Sequence, residues 1–130
     1  IQNRGWFESV VGHTAYYREW DHKDTKRREH VFRSALNSEA QGPAAQMCFA
    51  HMVYSRRLLN ERGLTCWFVN TIHDSMLTEC PDPKQVPLII ETMEEARALV
   101  YEWVKSWFVI PFIIDYNVGE SWGSLEEYKP

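Results

Sequence analysis

The sequence lacks the features of a membrane protein, a zinc-stabilised protein or a disulfide-rich protein. No uninterrupted apolar run approaches the ~18 residues that a membrane-spanning helix needs, so we expect no membrane partner. The three cysteines, Cys48, Cys66 and Cys80, form no close pair of the C-x-x-C type that zinc sites use. Buried or free thiols in a reducing cytoplasm are therefore expected. Internal repeats and low-complexity segments are also absent from the sequence.

The composition is that of a globular protein with an uneven charge distribution. With 130 residues, 45% of them hydrophobic and 25% charged, the chain is long enough for about one domain with a real core. The net charge of −4 divides into +3 over residues 1–62 and −7 over residues 63–130. The basic first half can attract phosphate locally although the whole chain is acidic. A solvated loop over Lys23–Arg28 is an equally good explanation of that excess.

Hydrophobic periodicity and turn residues predict alternating hairpins and helices. The predicted elements, in chain order, are a hairpin over residues 6–17, a helix over about residues 25–37, a second helix from Gly42-Pro43 to Arg62-Gly63, a hairpin of Leu64–Ile72 and Ser75–Glu79, a long helix over about Lys84–Trp107, a buried strand over Phe112–Val118 and a polar tail over Gly119–Pro130. Proline is favoured in the first turn of a helix, which is why a new helix is predicted at Pro43. This order predicts an α+β domain, in which helices cover one face of a mostly antiparallel sheet with a central β-hairpin.

The stretch Val69–Thr78 carries polar residues at the tip of the predicted central hairpin. Apolar, β-prone residues lead up to His73-Asp74-Ser75, and a short apolar run follows. Paired strands hold a carboxylate more rigidly than a free loop does, and rigid placement suits a metal-binding acid. The alternative is that Asp74 only shapes a turn, as aspartate often does.

Three polar side chains recur at four-residue steps before the predicted helix break. Arg33, Asn37 and Gln41 share one helix face approximately, because an α-helix has 3.6 residues per turn. Arginine can hold phosphate, and asparagine or glutamine can address base edges in the minor groove. The alternative is an ordinary solvent-exposed polar face.

Together these residues resemble the motifs of family A DNA polymerases, the bacterial DNA polymerase I type. The segment Arg33–Ala45 is similar to R-x-x-x-N-x-x-x-Q-G-x-A-A of that family, and Ile72–Ser75 resembles its motif C, usually V-H-D-E. Val118–Trp122 is similar to the family's terminal G-x-x-W, and Gly5–Gly12 resembles the strand that precedes these motifs. The matches are colinear and cover nearly the whole chain.

The resemblance implies that residues 1–130 form the C-terminal portion of the polymerase palm subdomain. Asp74 is then one of two aspartates that hold two Mg²⁺ ions, the other aspartate lying outside this chain. His73 is implied to lie beside the primer end, and Arg33, Asn37 and Gln41 to contact the minor groove of the primer-template DNA. The implied activity is template-directed transfer of dNTPs to a primer 3′-hydroxyl, in the cytoplasm of a bacterial or phage-infected cell.

The sequence departs from the family pattern at several positions. Ser75 replaces the acid that usually follows the motif C aspartate, Thr71 replaces a frequent glutamine, and Gln46 replaces the usual acid after the Ala-Ala pair. Since viral members vary at the Ser75 position, a phage-type origin is plausible. The family's D-Y-S-x-I-E motif and its nucleotide-binding fingers helix have no counterpart in the sequence.

These absences lead us to expect a chain that does not polymerise alone. One carboxylate cannot hold two Mg²⁺ ions, because magnesium keeps its waters unless several oxygens replace them. The chain is expected to be an expression fragment, a proteolytic product or a subunit of a split polymerase, with the remainder of the polymerase as its partner. A non-catalytic, palm-derived DNA-binding or assembly module is the alternative. A third hypothesis is a small metalloenzyme that uses His73 and Asp74 with one of the other histidines, which are spaced unlike metal ligands: His13, His22, His30 and His51.

Overall fold

The computed structural model describes residues 5–129, so Pro130 of the predicted polar tail lies outside the described residues. The helices and strands, in chain order, are β1 (Trp6–Glu8), β2 (Thr14–Tyr16), α1 (Thr25–Glu61), β3 (Trp67–Ile72), β4 (Ser75–Glu79), α2 (Val86–Val104), β5 (Asn117–Val118) and β6 (Glu126–Glu127). Short 3₁₀ helices cover Pro83–Gln85 and Trp122–Ser124. The chain divides into two compact units, Ile1–Cys48 and Phe49–Pro130, and the division falls within α1.

In the first unit, the β1–β2 hairpin is attached to the first half of α1. The strands are antiparallel, with Trp6 opposite Tyr16. After β2, the Tyr17 ring stacks on Phe7 with the ring centroids 6.2 Å apart. Its hydroxyl donates a hydrogen bond of 2.8 Å to Ser38 Oγ on α1. A hairpin this short is marginal by itself, so these contacts with the helix contribute to its stability.

The predicted break between two helices at Gly42-Pro43 is wrong, because α1 runs through it. Pro43 lies inside the 37-residue helix and its side chain is buried. A proline within a helix leaves the carbonyl four residues earlier without its usual donor, and its ring crowds that carbonyl. Burial of Pro43 beside the buried Met47 favours continuation, and such packing routinely overrides local propensity. Arg33, Asn37 and Gln41 therefore belong to one helix.

The predicted end of the helix at Arg62-Gly63 is confirmed by a Schellman cap. Gly63 has a φ of +66°, a left-handed conformation that glycine adopts without penalty. The Leu64 amide donates to the Leu59 carbonyl at 2.9 Å, and the Gly63 amide donates to the Asn60 carbonyl at 3.1 Å. These two bonds satisfy carbonyls at the helix end that have no intrahelical donor, and the chain then turns towards β3.

In the second unit, β3 and β4 form the second hairpin. The strand β4 has the predicted bounds. Trp67 pairs with Glu79 at its base and Ile72 pairs with Ser75 at its tip. The register shifts between Phe68 and Asn70, so the residue between them, Val69, forms a bulge. The first strand begins at Trp67, later than the predicted start at Leu64.

The core of the second unit joins the end of α1, the base of the hairpin and α2. Its central residues are at most 6% exposed: Leu59, Cys66, Ile89 and Met93. Phe68 of β3 packs against this cluster, so helices cover one face of the hairpin. His51, buried on α1, donates from Nε2 to the Met93 carbonyl on α2 at 2.9 Å.

The long predicted helix is confirmed as α2, preceded by one 3₁₀ turn. Pro87 lies in its first turn, where proline is favoured. Apolar residues at three- and four-residue steps along α2 are buried, namely Ile89, Met93, Ala96 and Val100, whereas Trp103 is 47% exposed.

The predicted buried strand over Phe112–Val118 is largely wrong. Only Asn117 and Val118 are in a strand, where both are exposed and pair with β6. Residues 109–116 have no regular secondary structure. Arg97 of α2 holds this segment by donating to the Phe112 carbonyl at 2.9 Å.

The strands are all antiparallel, and within residues 5–129 they form three separate two-stranded sheets instead of one larger sheet. Of the helices in this described part, none combines the length and apolar character needed to cross a membrane. The observed mixture of helices and small antiparallel sheets is an α+β fold.

Candidate functional site

The tip of the β3–β4 hairpin is a two-residue loop made of His73 and Asp74. Ile72 and Ser75 pair directly on either side of it, so the loop is as short as a hairpin allows. The Ser75 hydroxyl donates to the Ile72 carbonyl at 2.9 Å and closes the loop with a side-chain bond. Both loop residues are exposed. The loop thus carries an exposed histidine and an exposed aspartate at consecutive positions.

His73 adopts a left-handed backbone conformation with a φ of +55°. Among the described residues it is the one non-glycine position with a positive φ. Histidine tolerates this conformation better than most residues, but a non-glycine residue there usually costs about 1–3 kcal/mol. Such positions cluster at functional sites, where the surrounding structure holds them. The loop has histidine at its first position, where tight hairpin loops favour glycine, asparagine or aspartate.

The described residues do not provide a complete metal site by themselves. No group of three or more His, Cys, Asp or Glu side chains within residues 5–129 is arranged to hold a metal ion. Asp74 presents one carboxylate at the tip, and Ser75 presents a hydroxyl whose proton is donated to Ile72. A hard divalent cation favours several oxygen ligands. Asp74 alone offers too few oxygen ligands for such an ion, and it would serve only as one ligand among several.

Arg33, Asn37 and Gln41 are all exposed on α1, in the first unit. The uninterrupted helix separates successive members by about 6 Å along its axis and by about 40° around it. The three side chains thus follow a shallow spiral on one side of the helix. This arrangement offers one guanidinium and two carboxamides to the same ligand surface, as the spacing predicts.

Two of the other histidines have structural roles, and the other two, His13 and His30, are exposed. His51 is buried, and burial lowers the pKa of its ring, so the ring is neutral at neutral pH. Ser55 Oγ lies 3.4 Å from the Nε2 atom that donates to Met93. His22 is half-buried and its Nδ1 accepts a 3.0 Å bond from the Asp24 amide. Since no group of three or more potential ligands is found within residues 5–129, the hypothesis of a histidine-based metalloenzyme has no ligand set among them.

The predicted site residues thus form two local groups. Arg33, Asn37 and Gln41 lie in the unit Ile1–Cys48, whereas His73 and Asp74 lie in the unit Phe49–Pro130. Within each group, the structure brings the members together on one surface.

Comparison with known proteins identifies the family. The family model described as DNA polymerase family A matches residues 1–124. The chain belongs to DNA polymerase family A. Its position in that family agrees with the motifs at Arg33–Ala45, Ile72–Ser75 and Val118–Trp122.

Several curated relatives of this family A chain are bacterial or phage polymerases. It is 28% identical to DNA polymerase I of Mycobacterium leprae over 122 residues, which is 92% of this chain and 12% of that protein. It is 28% identical over 124 residues to DNA polymerase I of Treponema pallidum. It is also 24% identical over 126 residues to the DNA polymerase of Bacillus phage SP01, covering 92% of this chain and 13% of that protein. The chain therefore spans about an eighth of the length of these relatives.

The fold of this family A chain is similar to that of a solved polymerase domain. The match is to the POL domain of Pol1 from M. smegmatis, in complex with DNA primer-template and dNTP. The TM-score is 0.70 at 25% identity, and the alignment covers 77% of this chain and 18% of that domain. The predicted α+β class and the predicted family are both confirmed.

Two features of the site were not predicted from the sequence. The left-handed backbone of His73 follows from a two-residue loop, and the polar residues at the hairpin tip were a usable signal for it. The Ser75 hydrogen bond to Ile72 had no signal beyond the serine itself, since serine hydroxyls at turns have several local acceptors.

Proposed function

We propose that this chain is the C-terminal palm portion of a DNA-directed DNA polymerase. It acts in template-directed transfer of nucleotides from dNTPs to a primer 3′-hydroxyl, in the cytoplasm of a bacterial or phage-infected cell. The observation that carries the proposal is the exposed Asp74 carboxylate on a tight hairpin loop, within a chain of family A. The similar M. smegmatis domain, which was solved with primer-template and dNTP, supports the same ligands for this chain.

Asp74 is proposed to be one of two aspartates that would hold the two Mg²⁺ ions of a shared site. Paired strands and the Ser75 bond across the loop fix the backbone that carries the carboxylate. Such ions, when bound, activate the primer hydroxyl and neutralise charge on the triphosphate. Because no group of three or more His, Cys, Asp or Glu side chains among the described residues is arranged to hold a metal ion, we expect the rest of the polymerase to supply the second aspartate.

His73 is proposed to position the primer end. It directly precedes Asp74, the proposed metal ligand, in the two-residue loop. The backbone of His73 is left-handed, and the two flanking strands hold it in that conformation. Imidazole nitrogens can donate to or accept from sugar and phosphate groups.

Arg33, Asn37 and Gln41 are proposed to contact the minor groove of the primer-template duplex. The Arg33 guanidinium suits a phosphate oxygen. The two carboxamides can donate to the acceptors that purine N3 and pyrimidine O2 present in similar positions for all base pairs. Contacts of this kind test the shape of the newly formed pairs without requiring a particular sequence. The positive charge of residues 1–62 favours the same ligand.

The first experiment tests whether this chain contributes catalysis. We expect no primer extension by the chain alone with Mg²⁺ and dNTPs. We expect extension by the completed enzyme, in which the chain is combined with the remaining part of a family A polymerase. The control is the remaining part without this chain, which should also be inactive. Extension by the chain alone would contradict the shared metal site.

The second experiment tests the helix face by replacing Arg33 with Ala in the completed enzyme. We expect primer-template affinity to fall about tenfold, since a charge-assisted hydrogen bond contributes about 1.5–3 kcal/mol. The slope of log K against log salt should become shallower by about 0.9, the value for one lost phosphate contact. Fluorescence anisotropy over a salt series measures both quantities.

Arg57→Ala is the matched control, because Arg57 is also an exposed arginine on α1 but is paired with Glu61 at 2.9 Å. It should leave the affinity and the salt slope unchanged. The losses for Arg33→Ala should be equal for duplexes of different sequence. A loss confined to some sequences would argue against a phosphate contact.

A non-catalytic DNA-binding or assembly module is the second candidate, and one observation favours it. Ser75 stands where the family usually has an acid, and its hydroxyl closes the loop instead of offering a second negative charge. A completed enzyme that binds primer-template but extends no primer would support this candidate over the polymerase.

A further inference from the structure

Two cysteines flank the base of the β3–β4 hairpin. The last pair of the ladder is Trp67 opposite Glu79. Cys66 directly precedes Trp67 and Cys80 directly follows Glu79, so the same register continued by one step puts the two cysteines at opposite positions. Opposite positions of antiparallel strands have Cα atoms about 4.5–5.5 Å apart, and disulfides need about 4.4–6.8 Å. A continued register therefore gives the two Cα atoms a separation that a disulfide can span.

Packing brings the two thiols into the same core. Cys66 is 1% exposed and is one of the four central residues of the second unit's core, and the half-buried Cys80 packs against that cluster. Burial raises the pKa of the Cys66 thiol, a side-chain hydrogen bond with Thr78 opposes this rise, and the nearby Cys80 thiol adds to it. Cys80 is the more accessible of the two, and its Sγ donates to the Asp82 carbonyl at 3.1 Å. Both side chains are thiols in the structure.

We propose that Cys66 and Cys80 form a reversible dithiol–disulfide pair that small-molecule disulfides of the glutathione type oxidise. The Cys80 thiolate attacks one sulfur of the small disulfide, forming a mixed disulfide and releasing one small thiolate. The Cys66 thiolate then attacks Cys80 Sγ, forming the Cys66–Cys80 bond and releasing the second small thiolate. The two protein thiols lose two electrons to the small disulfide, and their two protons end on the two small thiols.

The bond closes the hairpin at the end opposite its functional loop. His73 and Asp74 lie at the tip, whereas Cys66 and Cys80 follow the last base pair of the ladder. A disulfide here restricts the separation of the two strands in the unfolded chain. The oxidised chain should therefore unfold at a temperature about 5–10 °C higher than the reduced chain. This inference does not depend on the proposed polymerase function.

The test oxidises the full chain with glutathione disulfide, blocks remaining thiols with N-ethylmaleimide, and determines the mass. We expect one added maleimide, at Cys48. Apart from that addition, the mass should be lower than that of the reduced chain by about 2 Da, corresponding to two thiol hydrogens. Peptide mapping without reductant should recover Cys66 linked to Cys80. The Cys48→Ser variant should give the same link with no thiol left to block. The Cys80→Ser variant should not form an internal disulfide.

The same oxidation in denaturant shows which disulfide pairings form when the fold does not hold the cysteines in place. There, the three cysteines should give mixed pairings, including pairs with Cys48. The same mixture from the folded chain would overturn the proposal. A stable glutathione adduct on Cys80 with Cys66 still free would overturn it as well.

Discussion

Replacing Asp74 with Asn in the completed enzyme is expected to lower the rate of primer extension by about 10³-fold while primer-template affinity stays within about twofold. Asparagine has nearly the same shape as aspartate and is equally suited to turns, so the hairpin should keep its fold. It lacks the negative charge that a divalent ion requires. Metal stabilisation of developing charge contributes several kcal/mol, and each 1.4 kcal/mol corresponds to a tenfold change in rate.

The measurement is single-turnover primer extension at saturating DNA, with affinity determined separately by anisotropy. Single-turnover conditions isolate chemistry from product release. Asp82→Asn is the matched control, because it makes the same change at a turn where the Asp82 carboxylate accepts from the Lys84 amide at 3.1 Å. Asparagine can accept the same bond, so this control should extend primers at the normal rate. Normal extension by the Asp74 variant would exclude the proposed metal role.

The central hairpin could be predicted from the sequence because its signals are local. Apolar residues approach and leave a polar tip, and the observed strands Trp67–Ile72 and Ser75–Glu79 follow this pattern closely. The helix end at Gly63 is equally local, because a left-handed residue with two specific hydrogen bonds stops the helix there. These features are predictable because the residues that produce them are adjacent in the chain.

The errors concern features that depend on distant residues. Pro43 is a strong local signal for a helix start, but its burial within α1 is a property of the folded unit. The stretch Phe112–Val118 has the apolar content of a strand, but a strand also needs a pairing partner. Among the described residues that partner is β6, and it pairs with Asn117 and Val118 alone.

The sequence could indicate which residues belong to the candidate site, but it could not predict their backbone conformation and hydrogen bonds. The family motifs single out Arg33, Asn37, Gln41, His73 and Asp74. The backbone of His73 and the bond from Ser75 emerged only with the loop geometry. The proposed metal site includes an aspartate outside this chain, so the proposed roles require the completed enzyme for their test.

Replacing Leu59 with Ala is expected to destabilise the chain by about 2–5 kcal/mol. Leu59 is 0% exposed and belongs to the core with Cys66, Ile89 and Met93, which come from the base of the hairpin and from α2. Truncation removes apolar contacts with both elements and leaves a cavity that surrounding helices can fill only partly. Alanine is favourable in helices, so the loss reflects packing.

Urea denaturation followed by circular dichroism measures the effect, and Leu99→Ala is the matched control. Leu99 lies on α2 and is 40% exposed, so the same truncation removes fewer contacts and should cost less than about 1 kcal/mol. The midpoint should fall for Leu59→Ala at an unchanged slope, because the surface exposed on unfolding stays nearly the same. Equal midpoints for the two variants would mean that Leu59 does not anchor this core. A large difference would establish that the end of α1 supports the base of the hairpin, and through its paired strands the loop that carries Asp74.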